Sequence, residues 1–332
     1  MVQSCRHELH CDANDGCDHS YCYQYFAKRK QKNSASAGKL DMTKTQKQNL
    51  DNVVRYTLLT IWLLIVLFPL FWIVATSFKP DKDWLAWPPV YWSEEPTMSN
   101  YNNVWGGAME HTETQYAQSI QKPFTALKNS TIISFISTFL SVSFGAFIAY
   151  GVSRYKVLSE TRMFQLLMLR MVPPIVLVGP LSLYYTTIGL IDSLTGLIAI
   201  YFITTLPYAV WMTKSFIDEV PIELEQAAEI MGANRWTIIT EVVFPVIRSG
   251  LLATFLFILI LTWSEYLVAF ILSKTDAVTL PVELAKYEGS SEGRVYGRQA
   301  ALSVGITIPL IIVGITIRKH LARGFSFGMI RK

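Results

Sequence analysis

PIELEQAAEIMGANRWTIITEVVFP, from Pro221 to Pro245, is a polar stretch set between long apolar blocks, and its reading decides what the rest of the chain is. Pro221 suits a first helical position, where the missing N–H costs nothing, and Glu223 and Glu225 fall in the opening turns, where the helix dipole favours negative charge. Leu224, Ala227, Ala228 and Met231 recur at i, i+3, i+4 and i+7, a narrow stripe of mostly small apolar residues, and Gly232 ends the pattern. A second helical pattern carries Trp236, Ile239 and Val243 on to Pro245. Small alanines on an exposed stripe permit the close backbone approach that seats a helix in a partner's groove. The alternative is an amphipathic helix lying on lipid, but such helices ordinarily show bulky apolar residues and a Lys/Arg-rich polar face. The polar face here is acidic.

Outward from this loop the apolar residues come in blocks. Of 332 residues 51% are hydrophobic and 16% charged, and the apolar ones gather at about 56–76, 131–152, 163–187, 196–213, 250–272 and 299–317. Each block is near the ~20 residues that cross a hydrocarbon core as a helix. A soluble core would disperse its apolar residues, and a membrane barrel needs an alternation that is absent, so helices remain the way to satisfy the backbone in lipid. The expected fold is all-α: a polytopic membrane protein with about six transmembrane helices. Its membrane domain covers 51–320 and contains the polar loop at 214–249; a short tail follows at 321–332.

Residues 1–50 read differently. Cys5, Cys11, Cys17 and Cys22 fall there with His7, His10 and His19, ahead of a polar tract. Structural zinc sites favour cysteine pairs two to four residues apart, and only Cys17 and Cys22 come close to that. With no apolar core beside them, the segment is expected to be disordered and free of metal. Met42 looks like a natural start, which leaves residues 1–41 open as a non-native leader; no apolar h-region marks a signal peptide.

Lys and Arg crowd the chain before the first block, the turn after the second (Arg154, Lys156, Arg162) and the C-terminus (Arg318, Lys319, Arg323, Arg331, Lys332). The positive-inside tendency places these in the cytoplasm, together with both termini and the Pro221 loop. The loops at about 79–130 and 273–298 then face outward, and DWLAWPPVYW (Asp83 to Trp92) suits an aromatic belt at the outer interface.

Ionisable residues inside spans are functional candidates, because an unpaired charge in lipid costs ~3 kcal/mol on insertion scales. Arg170 lies roughly 12 Å into the third block at ~1.5 Å per residue, and Glu265 in the outer half of the fifth. Each is a candidate contact for a solute in the pathway or a structural pair with a neighbouring span or with carbonyls freed by the adjacent prolines. Trp263 offers a face on which sugars stack, or a packing residue. Pro173, Pro174, Gly179 and Pro180 make the third span the one expected to bend or break. No phosphate loop and no metalloprotease motif is present, so the chain cannot hydrolyse ATP by itself, and any ATP-driven activity would need a protein contact to supply the energy.

The order Ala227-Ala228, Gly232, then Val242-x-Phe244-Pro245 resembles the EAA loop of permease subunits in ATP-driven (ABC) importers. FPLFWIVATSFKP (Phe68 to Pro80), Asn129-Ser130, AYGVSRY (Ala149 to Tyr155), MVPPIVLVGPL (Met171 to Leu181) and RGFSFGMIRK (Arg323 to Lys332) look like landmarks of the sugar-importer branch, of the maltose-permease type, in the expected order. The resemblance covers about residues 52 to 332. Three departures stand out: Gln226 replaces the Glu that normally precedes the alanines, Trp263-Ser264-Glu265 replaces Trp-Asn-Glu, and FSFGMIRK replaces a small-residue tail. Glu225 is the neighbouring carboxylate available to replace the family's salt bridge to the ATPase.

The resemblance implies a permease in a bacterial or archaeal cytoplasmic membrane, with the first loop helix as a coupling helix. Its partners would be membrane lipid, a cytoplasmic ABC ATPase dimer, a second homologous permease and an extracytoplasmic solute-binding protein; no nucleic acid is expected. ATP and Mg would be bound by the ATPase, and no cofactor by this chain. Bulk introduced at Ala227 or Ala228, or a substituted Gly232, is expected to weaken docking with the membrane fold intact. The competing class is an ATP-independent secondary transporter or channel, which usually shows internal repeats and paired mid-membrane acids; no clear repeat is visible and Glu265 is a lone acid.

Overall fold

The computed structural model describes residues 19–106, 123–168, 174–287 and 295–326, and among these all regular structure is helical. In chain order the helices are α1 (His19–Ser77), α2 (Ser99–Trp105), α3 (Pro123–Tyr155), α4 (Glu160–Met168), α5 (Pro174–Thr187), α6 (Leu194–Asp218) and α7 (Ile222–Ile230). Then come α8 (Arg235–Val246), α9 (Arg248–Trp263), α10 (Leu267–Leu272), α11 (Leu280–Lys286) and α12 (Tyr296–Ser326). One unit ends at Leu70 and a second runs from Phe71 onward.

The first unit consists, in its described part, of α1 up to Leu70, whose largely apolar residues from Val53 to Leu70 are exposed. A helix apolar all round is a membrane span rather than a surface helix. Composition leads to a disordered tail through residue 50, yet α1 begins at His19. Between His19 and Phe68 there is no proline and a single glycine, Gly38, and a helix already nucleated in the span extends at one hydrogen bond per residue fixed.

Residues 52–77, α3, α6 and residues 296–316 are each long and apolar enough to cross a membrane, and α8 with α9 adds a fifth if that pair, bent by 77°, is one span. The third expected block falls on α4 and α5, either side of 169–173, so the described residues give four or five spans where six blocks were counted. The fifth block is also interrupted: α9 stops at Trp263, and the Glu265 carboxylate accepts the N–H groups of Val268 (3.0 Å) and Ala269 (3.2 Å), which restarts the chain as α10. The C-terminal boundary shifts too, since α12 continues through Ser326.

Within the second unit α3 packs most extensively on α6, and α9 packs on α3, α6 and α12. Small residues make this possible: a Cβ on Gly145 would lie 2.5 Å from the Ala209 Cβ. Ser141 Oγ meets Thr205 Oγ1 at 2.7 Å, and Thr138 meets Thr262 at 3.2 Å. Close approach plus interhelical hydroxyl pairs is how helices associate where lipid removes the hydrophobic drive.

One end of the bundle carries the C-termini of α3 and α6 and the loop bearing α7. At the other end, the Asn129 amide donates to the carbonyls of Asp276 (2.8 Å) and Val278 (3.0 Å), and Ser130 Oγ accepts the Leu280 N–H at 2.8 Å. Asn100 donates to the carbonyls of Ser77 and Lys79. Lys79 is buried with its ammonium 4.0 Å from the centroid of the Trp72 ring, and burial lowers its pKa. Nearby, Leu85 and Trp87 stand exposed, consistent with an interfacial aromatic belt.

Candidate functional site

α7 is terminated as its sequence dictates. Gly232 adopts φ +88°, a conformation that costs glycine nothing, and the N–H groups of Gly232 and Ala233 return to the carbonyls of Glu229 and Ala228, both at 3.0 Å. Asn234 then caps α8 through its side-chain oxygen, 2.8 Å from the Thr237 N–H. Residues Ile238–Val243 widen into a π-turn, and Pro245, which lacks the N–H to continue the ladder, precedes the sharp bend into α9.

The loop is held to the bundle by one carboxylate. Glu225 is buried; its Oε1 accepts from Arg154 Nε at 2.7 Å and its Oε2 from the Tyr150 hydroxyl at 2.8 Å. Arg154 also donates to the Val220 carbonyl at 3.0 Å. Ala228, on the same side of α7, packs with Tyr150, Ile217, Ile238 and Val243. Outside this core, Phe147 stacks on Trp236 with ring centroids 5.2 Å apart.

This corrects two expectations. The stripe of Leu224, Ala227, Ala228 and Met231 does not face one way: Ala228 is turned into the core, while Leu224, Ala227 and Met231 are exposed. Glu225 is likewise not a free carboxylate for a partner, because both of its oxygens are taken by α3. The free side of α7 presents Glu223, Gln226, Ala227, Ile230 and Met231, with Ile230 88% and Met231 81% exposed. Ile230 was missed because it falls outside the Leu224, Ala227, Ala228 and Met231 stripe that the spacing assigned to the partner; its sign was an isoleucine three residues after Ala227 and four after Gln226. Arg154 and Tyr150 lay in the AYGVSRY landmark but carried no assigned role.

The solute-pathway candidates separate. Arg170 lies outside the described residues. Glu265 is engaged by the protein: besides capping α10 it accepts the Tyr201 hydroxyl at 2.7 Å, which is the structural pairing of the two readings open for it. Trp263 is 3% exposed in a buried cluster with Val104, Leu280, Tyr287 and Leu302, yet among the described residues its indole N–H has no hydrogen-bond partner. Glu283 Oε1 and Arg298 Nε are also buried and unpaired, and such groups cost about 1–3 kcal/mol each.

At the end away from α7, Asp192 sits in the left-handed region (φ 54°) between α5 and α6. Its carboxylate accepts the backbone N–H groups of Lys274 (2.8 Å), Thr275 (3.0 Å), Asp276 (3.1 Å) and Ala277 (3.1 Å) and the Thr275 hydroxyl. Partial burial acts to raise its pKa, but the four backbone hydrogen bonds outweigh that and hold the carboxyl well below the usual carboxylate range. The loop after α10 is thereby fixed to the α5–α6 turn.

Comparison with known proteins places these features in a family. Residues 141–327 match the model described as "Binding-protein-dependent transport system inner membrane component". The chain is 30% identical over 290 residues to the inner membrane ABC transporter permease protein YcjP of Escherichia coli K12, covering 86% of this chain and 99% of that protein. It is 31% identical over 271 residues to the trehalose/maltose transport system permease protein MalG of Thermococcus litoralis, covering 81% and 92%. A chain from the crystal structure of a bacterial ABC transporter involved in import of the acidic polysaccharide alginate shares the fold, with a TM-score of 0.65 over 82% of this chain and 96% of its own at 20% identity.

Proposed function

The chain belongs to the binding-protein-dependent transport system inner membrane components, and from that membership we propose that it lines the translocation pathway of an ABC importer for a sugar or sugar-like solute. It is a multi-pass membrane protein and a transport subunit, not an enzyme. The sugar class is supported by the trehalose/maltose permease among its relatives.

α7 is the coupling helix, seated in a cleft of a cytoplasmic ATPase dimer that binds ATP and Mg; this chain binds no cofactor. The observation that carries this is the division of α7 into a clamped side, Glu225 and Ala228, and a bare side bearing Ile230 and Met231. A buried ion pair at the root makes the helix a rigid lever, and exposed apolar side chains at its tip are what a protein groove covers. Gln226 offers that groove a hydrogen bond where relatives of the resemblance offer a charge. The basic flanks favour both termini and α7 on the cytoplasmic side. A second homologous permease completes the pathway, and a solute-binding protein delivers cargo at the Asp192 end. Closure of the ATPase on ATP draws the coupling helices together and turns the bundle outward; hydrolysis lets it reopen inward.

Because Ala228 is core, bulk placed there would disturb α7 itself, and the decisive variants are Ile230→Asp and Ala227→Trp. Each is expected to cost the ATPase contact about 2 kcal/mol, roughly 30-fold in affinity, while the thermal midpoint of the purified permease stays the same. Co-purification of the ATPase and ATP-driven uptake at the native level in both variants would reject the assignment.

A further inference from the structure

Trp263, Leu280, Tyr287, Ala301 and Leu302 pack as one buried cluster at the end of the bundle away from α7. On α11, Glu283 stands three residues after Leu280 and four before Tyr287; on α12, Arg298 stands three and four before Ala301 and Leu302. Helical residues at that spacing share a face, so Glu283 and Arg298 stand on the faces of α11 and α12 that carry the residues clustered with Trp263. Glu283 is fully buried, with Oε2 on the Lys286 ammonium at 3.0 Å and Oε1 on nothing. The Trp263 Nε1–H and Arg298 Nε–H are unpaired too. Burial and then the Glu283 charge push the Tyr287 hydroxyl up to about 12 while Arg298 pulls it back, so both charges act at this one spot.

We propose that Trp263, Glu283 and Arg298 form a recognition site for a hydroxyl-rich solute, with Glu283 Oε1 accepting from a solute hydroxyl and Trp263 and Arg298 donating to solute oxygens. With the Lys286 ammonium already on Glu283 Oε2, the groups left open beside the apolar ring are one acceptor and two donors, which matches a molecule bearing hydroxyls and C–H faces. Unpaired buried donors and acceptors burden the solute-free state, and a solute that pairs them favours the state that admits it. The site rests on the sugar-import reading above, and it differs from the Glu265 site expected from sequence, whose carboxylate is already occupied.

The test uses the complete importer in proteoliposomes with its binding protein saturated with radiolabelled maltose or trehalose. Trp263→Phe deletes the N–H and Glu283→Gln the charge. Each is expected to lower sugar uptake roughly 3- to 10-fold, one hydrogen bond's worth, and to lower sugar carried per ATP hydrolysed, while the thermal midpoint in detergent holds or rises for Trp263→Phe and falls for Glu283→Gln, which also gives up the Lys286 ion pair. A merely structural role would lower the midpoint and leave sugar carried per ATP as in the wild type, and that result overturns the site. If the wild type carries either sugar with ATP and both variants match it, the site falls and the import reading stands. If the wild type carries neither sugar, the sugar reading falls and the site with it.

Discussion

Glu225 and Asp192 each tie a loop to the helix bundle, but Glu225 is held by the side chains of Arg154 and Tyr150, whereas Asp192 is held by four consecutive backbone N–H groups, Lys274 to Ala277. The first arrangement puts two opposite charges almost out of water, with side-chain exposures of 13% for Arg154 and 5% for Glu225. Its value lies in fixing the direction of α7, since an isolated pair of this kind adds little net stability but is costly to break. The second needs no opposite charge. It closes a loop around an anion, much as a run of backbone N–H groups holds any bound anion. One end of the bundle thus holds α7 in a set direction, and the other keeps two turns at a fixed separation.

The sharpest way to break this comparison is Glu225→Ala, which leaves Arg154 uncompensated in the interior. A loss of ~3 kcal/mol is expected, read as a fall in the thermal midpoint in detergent together with loss of ATPase capture. Asp192→Asn comes next: the amide keeps one acceptor oxygen and turns an NH2 against backbone donors, for a loss of about 2 kcal/mol with ATPase capture retained. A midpoint equal to wild type in that variant would mean that the four N–H contacts contribute nothing.

Asp192 also sets a pH signature. Its folded pKa is depressed, so its stabilisation is fully present above the unfolded value near 3.8 and is lost as pH falls through the lower folded value. The wild type should lose stability below about pH 4 more steeply than Asp192→Asn, and the two should run parallel between pH 6 and 8; equal acid slopes would remove the role. The smallest expected effect is Gly232→Ala. Open space surrounds that position, so only the left-handed backbone opposes a Cβ, for about 1 kcal/mol, and ATPase capture should weaken only as far as α7 loses its fixed end.

Much of this was legible before any fold was known. Pro221, Glu223, Gly232 and Pro245 marked α7 and its boundaries because caps, dipole preferences and proline geometry act within a few residues. The long apolar blocks marked the spans for the same reason, and failed where a local run hides a tertiary event: the break at Ser264 depends on Glu265 finding both α10 and Tyr201. Sequence spacing assigned Ala228 outward with Ala227, since a helical wheel reports which residues share a face and not which face meets the bundle. Asp192 drew no attention, because its partners are main-chain groups of ordinary residues more than eighty positions away.

The amino-acid sequence by itself determined that the chain spans a membrane as helices and carries a short helix in a polar loop, because hydropathy and periodicity are properties of adjacent residues. Only the tertiary structure decided that Glu225 turns inward and Ile230 outward, that Asp192 gathers four backbone donors, and that Trp263, Glu283 and Arg298 each bury a polar atom without a partner among the described residues. Those outcomes depend on which distant groups arrive to fill a hydrogen bond or leave it empty, and the energy of an unfilled bond is set by burial that no local pattern encodes.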